Sequence, residues 1–391
     1  MITLIEHAEV FSPQALGQQQ VLVAGQRISA VSGAINIQGD LVQRINAAGC
    51  YLVPGLVDSL AHIIGGGGEG GFRTRTPELN ADDAFASGVT TLVGVLGTDS
   101  ITRTLTNLLA KAHALTEEGL NCYCHTGSYQ IPVRTLFPTI SEDLLLIDKF
   151  IGVGEVAIAD HRSSQPTPDE LKKLAAEARV GGMLSGKAGI VSVHVGPAAA
   201  GVSLLLDVAA GSDIPLTQFY PTHMNRNQQL VEQGFAMLNA GGWIDFTTST
   251  TPQELASGEV QCAKALQQAW QLGLDCSRIT FSSDANASLP LFDDQQQFIG
   301  LGIGRIASLL EEVVAAVHLG VPLPLALSVA TTNPARVLKL QHKGEIAVGK
   351  DADLVLLDKE TLAVRAVMSR GIWRYSDGSL PVTVQRDSLF I

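Results

Sequence analysis

Residues 54–71 read PGLVDSLAHIIGGGGEGG, and this stretch decides the fold expected of the chain. An apolar run beginning at Leu56 predicts a buried strand that ends at His62, and four glycines and then Glu69 follow directly. A strand that delivers a histidine to its carboxyl end and then breaks into a glycine loop is typical of the first strand of an α/β barrel, where the chemistry lies at those ends. Taken alone, the stretch is explained equally well by a buried histidine before a flexible turn.

Seven further strand-like runs follow, with helix-like segments between them. The eight predicted strands are Leu56–His62, Val89–Gly94, Leu120–His125, Ile151–Ile158, Ile190–His194, Leu216–Tyr220, Ile244–Thr247 and Ile279–Ser283. The clearest helix is predicted to begin after the N-cap Thr167, with Pro168 at its first position. Similar helices are predicted over residues 254–272 and 305–318. These alternations predict an α/β protein that folds as a (β/α)8 TIM-type barrel.

Both ends of the chain differ from this middle part. Short β-like runs separated by glycine and polar turns fill the first fifty residues, and residues 341–391 return to the same character. We therefore expect two domains, a small β-rich domain formed by residues 1–53 and 341–391 and a barrel domain formed by residues 54–340.

The composition narrows the class of protein. The 391 residues are 46% hydrophobic and 16% charged, with a net charge of −12. The hydrophobic fraction predicts a large core. The negative net charge argues against nucleic acid or a membrane surface as a partner, and we expect a small-molecule substrate instead. The five cysteines form no C-x-x-C pair, and there is no signal-like or membrane-spanning apolar run, so we expect a cytoplasmic protein.

Ionisable residues recur at or just past the predicted strand ends. They are His62, His125, Glu155, His194, His223 and Asp284. A single strand-end histidine is more often a hydrogen-bonded core residue, but several in register on one barrel are not explained in that way. Glu155, His194 and His223 follow one another at 39 and 29 residues, about one barrel repeat each. Imidazole and carboxylate ligands favour Zn²⁺ or a related divalent ion, whereas His125 is left open.

The expected chemistry is a hydrolysis. A divalent ion lowers the pKa of its bound water enough to give hydroxide near neutral pH. Asp284, at the end of the eighth predicted strand, is placed to take a proton from that water and pass it to a leaving amine.

Several longer strings resemble a known family. The strings PGLVD (54–58), SSDANAS (282–288) and GEIAVGKDADLVLLD (344–358) are similar to the amidohydrolase superfamily. Within that superfamily, IIGGGGEGG (63–71), ADHRS (159–163) and PTHMNRN (221–227) resemble the bacterial isoaspartyl dipeptidases. The resemblance implies a β-sandwich beside a metallo-barrel, an intracellular homo-oligomer, and hydrolysis of β-aspartyl (isoaspartyl) dipeptides.

The resemblance also implies roles for individual residues. The metal ligands would be His62, Glu155, His194, His223 and Asp284, with Asp284 also the general base. Glu69 and Thr98 match groups that hold the α-amine end of the substrate, and Ser288 matches a further substrate contact. Tyr129 matches the phenol that polarises the scissile carbonyl. Arg162 and Arg226 match the arginines that bind carboxylates, which suits a guanidinium.

Two positions depart from the family pattern. Leu60 stands where the first histidine of a His-x-His pair is expected, and leucine cannot bind a metal. Glu155 stands where many members carry a carbamylated lysine that bridges two metals. One bound Zn²⁺ is therefore expected, and a second one stays open.

These departures keep two alternatives in view. The chain could be a single-metal amidohydrolase that acts on another amide, such as an N-acyl amino acid or sugar deacetylase. It could also be a catalytically silent member of the family, although Asp284, Tyr129 and both arginines argue against that.

Overall fold

A computed structural model describes residues 2–292, 295 and 298–385. Met1 and residues 386–391, which belong to the predicted terminal domain, lie outside the described residues. The strands are β1 (Ile2–Glu6), β2 (Glu9–Phe11), β3 (Ala15–Gln18), β4 (Gln20–Ala24), β5 (Arg27–Ser32), β6 (Val42–Asn46), β7 (Cys50–Pro54), β8 (Leu56–Ala61), β9 (Val89–Gly94), β10 (Asn121–Thr126), β11 (Phe150–Ile158), β12 (Ile190–Val195), β13 (Phe219–Thr222), β14 (Ile244–Thr247), β15 (Ile279–Ser282), β16 (Ser288–Phe292), β17 (Phe298–Ile303), β18 (Leu354–Asp358), β19 (Val364–Ser369) and β20 (Ile372–Ser376).

Eleven α-helices follow or separate these strands within the described residues. They are α1 (Ala81–Ala86), α2 (Leu105–Glu117), α3 (Ile140–Leu146), α4 (Pro168–Ser185), α5 (Ser203–Ala210), α6 (Gln228–Asn239), α7 (Pro252–Ala256), α8 (Cys262–Gln271), α9 (Ser308–His318), α10 (Leu323–Ser328) and α11 (Thr332–Val337). None of the described helices is long and apolar enough to cross a membrane.

The middle of the chain forms a parallel sheet. Strands β8 to β13 pair in sequence order, and β14 pairs with β15. The carboxyl end of β13 approaches β14 through Met224 N–H, which donates to Asp245 O at 3.1 Å. The segment after β15 approaches the end of β8, where His62 N–H donates to Ala285 O at 2.8 Å. The strands are buried on both faces, which is why they read as near-continuous apolar runs in the sequence.

Two details differ from the sequence prediction. Residues 216–218 form a 3₁₀ turn after Pro215, and the sixth strand of the sheet starts only at Phe219. The single helix predicted over residues 254–272 is wrong, because α7 and α8 are separate. Gly258, between them, has a φ of 108°, a left-handed conformation that a helix cannot continue through. By contrast, Thr167 caps α4 in a full capping box, as its sequence predicts.

The chain ends form two smaller sheets, the first from the N-terminal end alone and the second from both ends. One has the order β5-β4-β1-β6, and the other has the order β20-β19-β18-β7-β2-β3. Their facing apolar side chains form a cluster of their own, which includes Ile5, Val23, Leu52, Leu354 and Trp373. A separate inner cluster of the parallel sheet includes Val57, Val93, Ile190 and Tyr220.

A buried ion pair joins the terminal strands to the parallel sheet. Lys343 Nζ lies 2.5 Å from Asp353 Oδ2 and 2.7 Å from Asp351 Oδ2. Asn121, at the start of β10, donates to the same Asp353 oxygen at 3.0 Å, and the backbone N–H of Arg370 donates to its other oxygen. Asp353 therefore connects the terminal strands to the parallel sheet.

Candidate active site

Three predicted ligands meet at the carboxyl ends of neighbouring strands. Glu155 lies on β11, His194 on β12, and His223 directly follows β13. All three are buried, and each offers a ligand atom within 4.8 Å of the others. We call these residues the Glu–His–His group. The backbone at Gly154 has a φ of 137°, and a Cβ there would lie 2.4 Å from Ser192 O, so only glycine fits before Glu155.

The Glu–His–His group has the spacing of a metal site. One carboxylate oxygen, Glu155 Oε2, lies 3.5 Å from His194 Nδ1 and 3.4 Å from His223 Nε2. Ligands bound about 2.0–2.2 Å from one Zn²⁺ lie about 3.3–3.6 Å apart at tetrahedral angles. Both carboxylate oxygens of Glu155 are buried, and neither accepts a hydrogen bond from the described residues. A buried carboxylate without donors is costly, and a cation would satisfy it.

The electrostatics agree with metal binding. Burial opposes the ionisation of Glu155, but the close imidazoles of His194, His223 and His62 outweigh it and lower the pKa of Glu155 well below its usual value. Burial and the nearby charge of Arg226 lower the pKa of His223 to about 4. The carboxylate is thus ionised and the His223 imidazole is neutral near pH 7, which are the forms that bind a metal.

His62 and Asp284 lie beside this group. His62 Nε2 is 3.2 Å from Asp284 Oδ1 and 3.4 Å from Glu155 Oε1. Burial lowers the pKa of His62, but the nearby carboxylates of Asp284 and Glu155 outweigh burial and raise it to about 10. Asp284 has a φ of 52° and His223 a φ of 63°, so both adopt left-handed conformations that are strained for residues with a side chain.

Tyr129 contacts the side of His194 that faces Glu155. Its hydroxyl lies 2.7 Å from His194 Nδ1, the nitrogen that also faces Glu155. Burial raises the pKa of Tyr129 well above its usual value, so the hydroxyl remains a donor near neutral pH. The guanidinium of Arg162 lies 5.4 Å above the tyrosine ring.

The sequence analysis missed Asp160. This carboxylate binds Arg162 in a bidentate manner, at 3.0 Å to Nε and 2.8 Å to Nη2. Its Oδ2 also lies 3.0 Å from His194 Nε2. Asp160 therefore holds both an expected ligand and an expected substrate arginine. Its place two residues beyond β11 was the available signal, but only Arg162 was singled out in the ADHRS string.

A second group of polar side chains surrounds Glu69. Thr98 Oγ1 donates to Glu69 Oε1 at 3.0 Å, and Ser288 Oγ donates to Oε2 at 3.4 Å. Arg162 Nη1 lies 3.4 Å from Glu69 Oε1. The base of the glycine loop is fixed by Arg103, a buried side chain that donates to the carbonyls of residues 64, 66 and 76.

Arg226 is the second arginine that the sequence predicts as a substrate contact. It follows His223 by three residues, and its Nε is buried without a hydrogen-bond partner among the described residues. Nearby, the hydroxyl of Thr247 lies 2.5 Å from His223 Nδ1, which leaves Nε2 to face Glu155. Thr247 is thus another residue that the sequence analysis did not single out.

One cavity of about 640 Å³ unites the site. Nine of the eleven expected site residues line it: His62, Glu69, Thr98, Tyr129, Arg162, His194, Arg226, Asp284 and Ser288. Glu155 and His223 do not line it, but Glu155 lies beside His62 and His194, and His223 packs against His194. His125 is buried, and neither of its ring nitrogens has a hydrogen-bond partner among the described residues. Burial lowers its pKa to about 4.

The chain matches known proteins over its whole length. Residues 51–374 match the Amidohydrolase family. The chain belongs to the amidohydrolase family. The resemblance seen in the sequence is therefore confirmed, and the parallel sheet with its helices is the TIM-like barrel of that family.

Solved structures give a closer comparison. The β-aspartyl dipeptidase from Fervidobacterium islandicum AW-1, crystallised in complex with a β-Asp-Leu dipeptide, is 44% identical over 100% of both chains, with a TM-score of 0.91. A second crystal structure of that dipeptidase gives 42% identity over 100% of both chains and a TM-score of 0.90. An N-acetylglucosamine-6-phosphate deacetylase from Pasteurella multocida covers 96% of this chain and 100% of its own at 16% identity and a TM-score of 0.63, which is a likeness of fold alone.

Proposed function

We propose that this amidohydrolase cleaves β-aspartyl dipeptides with the help of a divalent metal ion. The observation that carries the proposal is the shared cavity, in which a carboxylate, two arginines and a tyrosine face the Glu–His–His group. A β-aspartyl dipeptide carries one ammonium and two carboxylates around its scissile amide, and this arrangement offers a partner to each. The full-length similarity to the Fervidobacterium dipeptidase supports the same substrate class.

Zn²⁺ is the ion we propose. Glu155, His194 and His223 would hold it, because their ligand atoms converge and the chemistry of a carboxylate with two imidazoles suits zinc. A bound divalent ion supplies an acidified water and a Lewis acid for the substrate carbonyl. The ring nitrogens that face away from Glu155 have partners of their own, which orient the two imidazoles. Asp160 lies 3.0 Å from His194 Nε2, and Thr247 lies 2.5 Å from His223 Nδ1.

Asp284 is the proposed general base and acid. It faces the cavity beside the Glu–His–His group, where it can accept a proton from the attacking water and return it to the leaving amine. His62, 3.2 Å away, holds its carboxylate in place. Tyr129 is the proposed donor to the carbonyl oxygen. If His194 held an ion, it would no longer accept from the tyrosine hydroxyl, which could then donate to the oxygen that gains charge.

The charged ends of the substrate explain the remaining residues. We assign the α-ammonium to Glu69, with Thr98 and Ser288 orienting the carboxylate. The α-carboxylate is bonded to the same carbon as the ammonium, so its partner must lie next to Glu69. Arg162 fits, because its Nη1 is 3.4 Å from Glu69. Arg226 would then bind the carboxylate of the leaving residue.

A single-metal amidohydrolase acting on another amide is the second candidate. Leu60, which cannot bind a metal, favours this candidate. The described residues form only one group of three candidate ligands, and not two such groups. An N-acyl amino acid or sugar, however, has no ammonium to pair with Glu69. A catalytically silent protein is the remaining alternative, and any specific turnover would exclude it.

We also propose the finer architecture and setting. The hydrogen bonds that link β13 to β14 and β15 to β8 support a closed (β/α)8 barrel of residues 54–340. The separate apolar cluster supports a β-sandwich domain of residues 1–53 and 341–391. Five buried free cysteines agree with a cytoplasmic location. A homo-oligomer remains a prediction.

A substrate panel tests the function. Purified protein with added Zn²⁺ should hydrolyse β-Asp-Leu, but not α-Asp-Leu, an N-acetyl amino acid or N-acetylglucosamine 6-phosphate. The Asp284→Ala variant controls for contaminating hydrolases. Turnover of β-Asp-Leu no faster than that of this variant would contradict the proposal, and turnover of an N-acetyl compound alone would favour the second candidate.

A further inference from the structure

A buried leucine lies on the strand that leads to His62. Alternate residues of a strand face the same side, so Leu60 and His62 share a face. Ala61, between them, packs in the apolar cluster that the strands share with the surrounding helices, which places Leu60 and His62 on the opposite, inner side. Leu60 is only 1% exposed, yet it belongs to none of the three apolar clusters of the described residues. A side chain without a donor atom therefore occupies an interior position next to the polar site.

The space between the carboxylates of Glu155 and Asp284 is filled by the side chain of His62. His62 Nε2 lies between Glu155 Oε1 at 3.4 Å and Asp284 Oδ1 at 3.2 Å. Among the described residues, the ligand atoms of Glu155, His194 and His223 converge, whereas His62, Glu155 and Asp284 do not form a second group of this kind. An imidazole that bridges two carboxylates leaves them no common point at which an ion would meet three ligands.

We propose that the chain binds one divalent ion tightly, at the Glu–His–His group, and that His62 takes the place of a second ion between Glu155 and Asp284. Leu60 is the cause, because it supplies no ligand beside His62. In this arrangement His62 is a positioning residue, which holds the carboxylate of Asp284 in place. The inference rests on the metal binding in the proposed function, but it does not depend on the identity of the substrate.

The number of tightly bound ions tests this inference. Each protein is incubated with excess Zn²⁺, freed of loose metal by gel filtration, and analysed for zinc per chain. We expect one ion for the unaltered chain, one for His62→Ala, and none for His194→Ala. We expect two for Leu60→His, which adds an imidazole at the ligand-poor position, and one for the matched control Leu60→Met, which keeps the apolar volume. Two ions in the unaltered chain, or none, would overturn the inference.

A spectroscopic readout covers the case in which Leu60→His folds poorly. The electron paramagnetic resonance spectrum of the Mn²⁺-loaded unaltered chain should be that of isolated ions, and a spin-coupled pair would overturn the inference. A folded Leu60→His protein that still holds one ion would overturn the role given to Leu60. A chain that binds one ion but cleaves no β-aspartyl dipeptide would support this inference and contradict the proposed function, so the two failures are distinguishable.

Discussion

The carboxylate of Asp160 lies 3.0 Å from Nε2 of His194. This contact leaves the other ring nitrogen, Nδ1, to face Glu155. A hydrogen on Nε2 donates to Asp160, so Nδ1 keeps its lone pair toward Glu155 Oε2, 3.5 Å away. The same carboxylate binds the Arg162 guanidinium with two hydrogen bonds. One buried acid thus contacts both the proposed metal ligand His194 and the proposed substrate arginine Arg162.

We predict that Asp160→Asn weakens the site without unfolding the protein. Loss of the charge leaves His194 and Arg162 without their ionic partner. Zinc affinity should fall by about 10–100-fold, as for other residues that orient a metal ligand. Competition with a chromophoric chelator measures the affinity. Asp169→Asn, at an exposed carboxylate in the first turn of α4, is the control and should bind zinc as before. Equal zinc affinity in both variants would contradict the role of Asp160.

The Tyr129 hydroxyl is predicted to act in the transition state. In Tyr129→Phe, kcat should fall by about 10²–10³-fold because one donor to the developing oxyanion is lost, and KM should change little. Steady-state kinetics on β-Asp-Leu measures both constants. Tyr51→Phe, on β7 in contact with Phe11, is the matched control. A large rise in KM with kcat preserved would show instead that the hydroxyl only binds the substrate.

Arg226 is predicted to bind the carboxylate of the leaving residue. The unaltered enzyme should prefer β-Asp-Leu over its C-terminal amide by about 10–100-fold in kcat/KM, as expected for a charge-assisted hydrogen bond of about 1.5–3 kcal/mol. In Arg226→Met this preference should disappear, because both substrates then lack the same contact. Arg162→Met should retain the preference and lower kcat/KM for both substrates. If Arg162→Met removes the preference instead, the two arginines have been assigned to the wrong carboxylates.

The ion pair between Lys343 and Asp353 is predicted to stabilise the junction of the terminal strands with the parallel sheet. Both side chains are buried, and Asp353→Asn leaves a buried ammonium with one partner fewer. The free energy of unfolding should fall by about 3–5 kcal/mol. Urea denaturation of the zinc-loaded protein measures the change. Asp351→Asn, whose side chain is 20% exposed, should cost less, since Asp353 still contacts Lys343.

The sequence predicted the parallel sheet well, because strands buried on both faces leave apolar runs that can be counted. It failed where one residue changes the backbone, as at Gly258, which ends a helix that the apolar pattern would continue. The Glu–His–His group was predicted from its strand-end spacing. Asp160 was not, because its contact with His194 spans 34 residues and depends on the path of the loop after β11. The left-handed conformations of His223 and Asp284 likewise leave no signal in a single sequence.

The protein is proposed to hydrolyse β-aspartyl dipeptides in this cavity. The most direct measurement is kcat/KM of the zinc-loaded protein for β-Asp-Leu and for α-Asp-Leu, which share their atoms and differ only in the linkage. We predict efficient cleavage of the β-linked dipeptide, negligible cleavage of the α-linked one, and loss of both activities in Asp284→Ala. Equal rates on the two dipeptides, or no rate above that of Asp284→Ala, would contradict the proposed β-aspartyl dipeptidase activity.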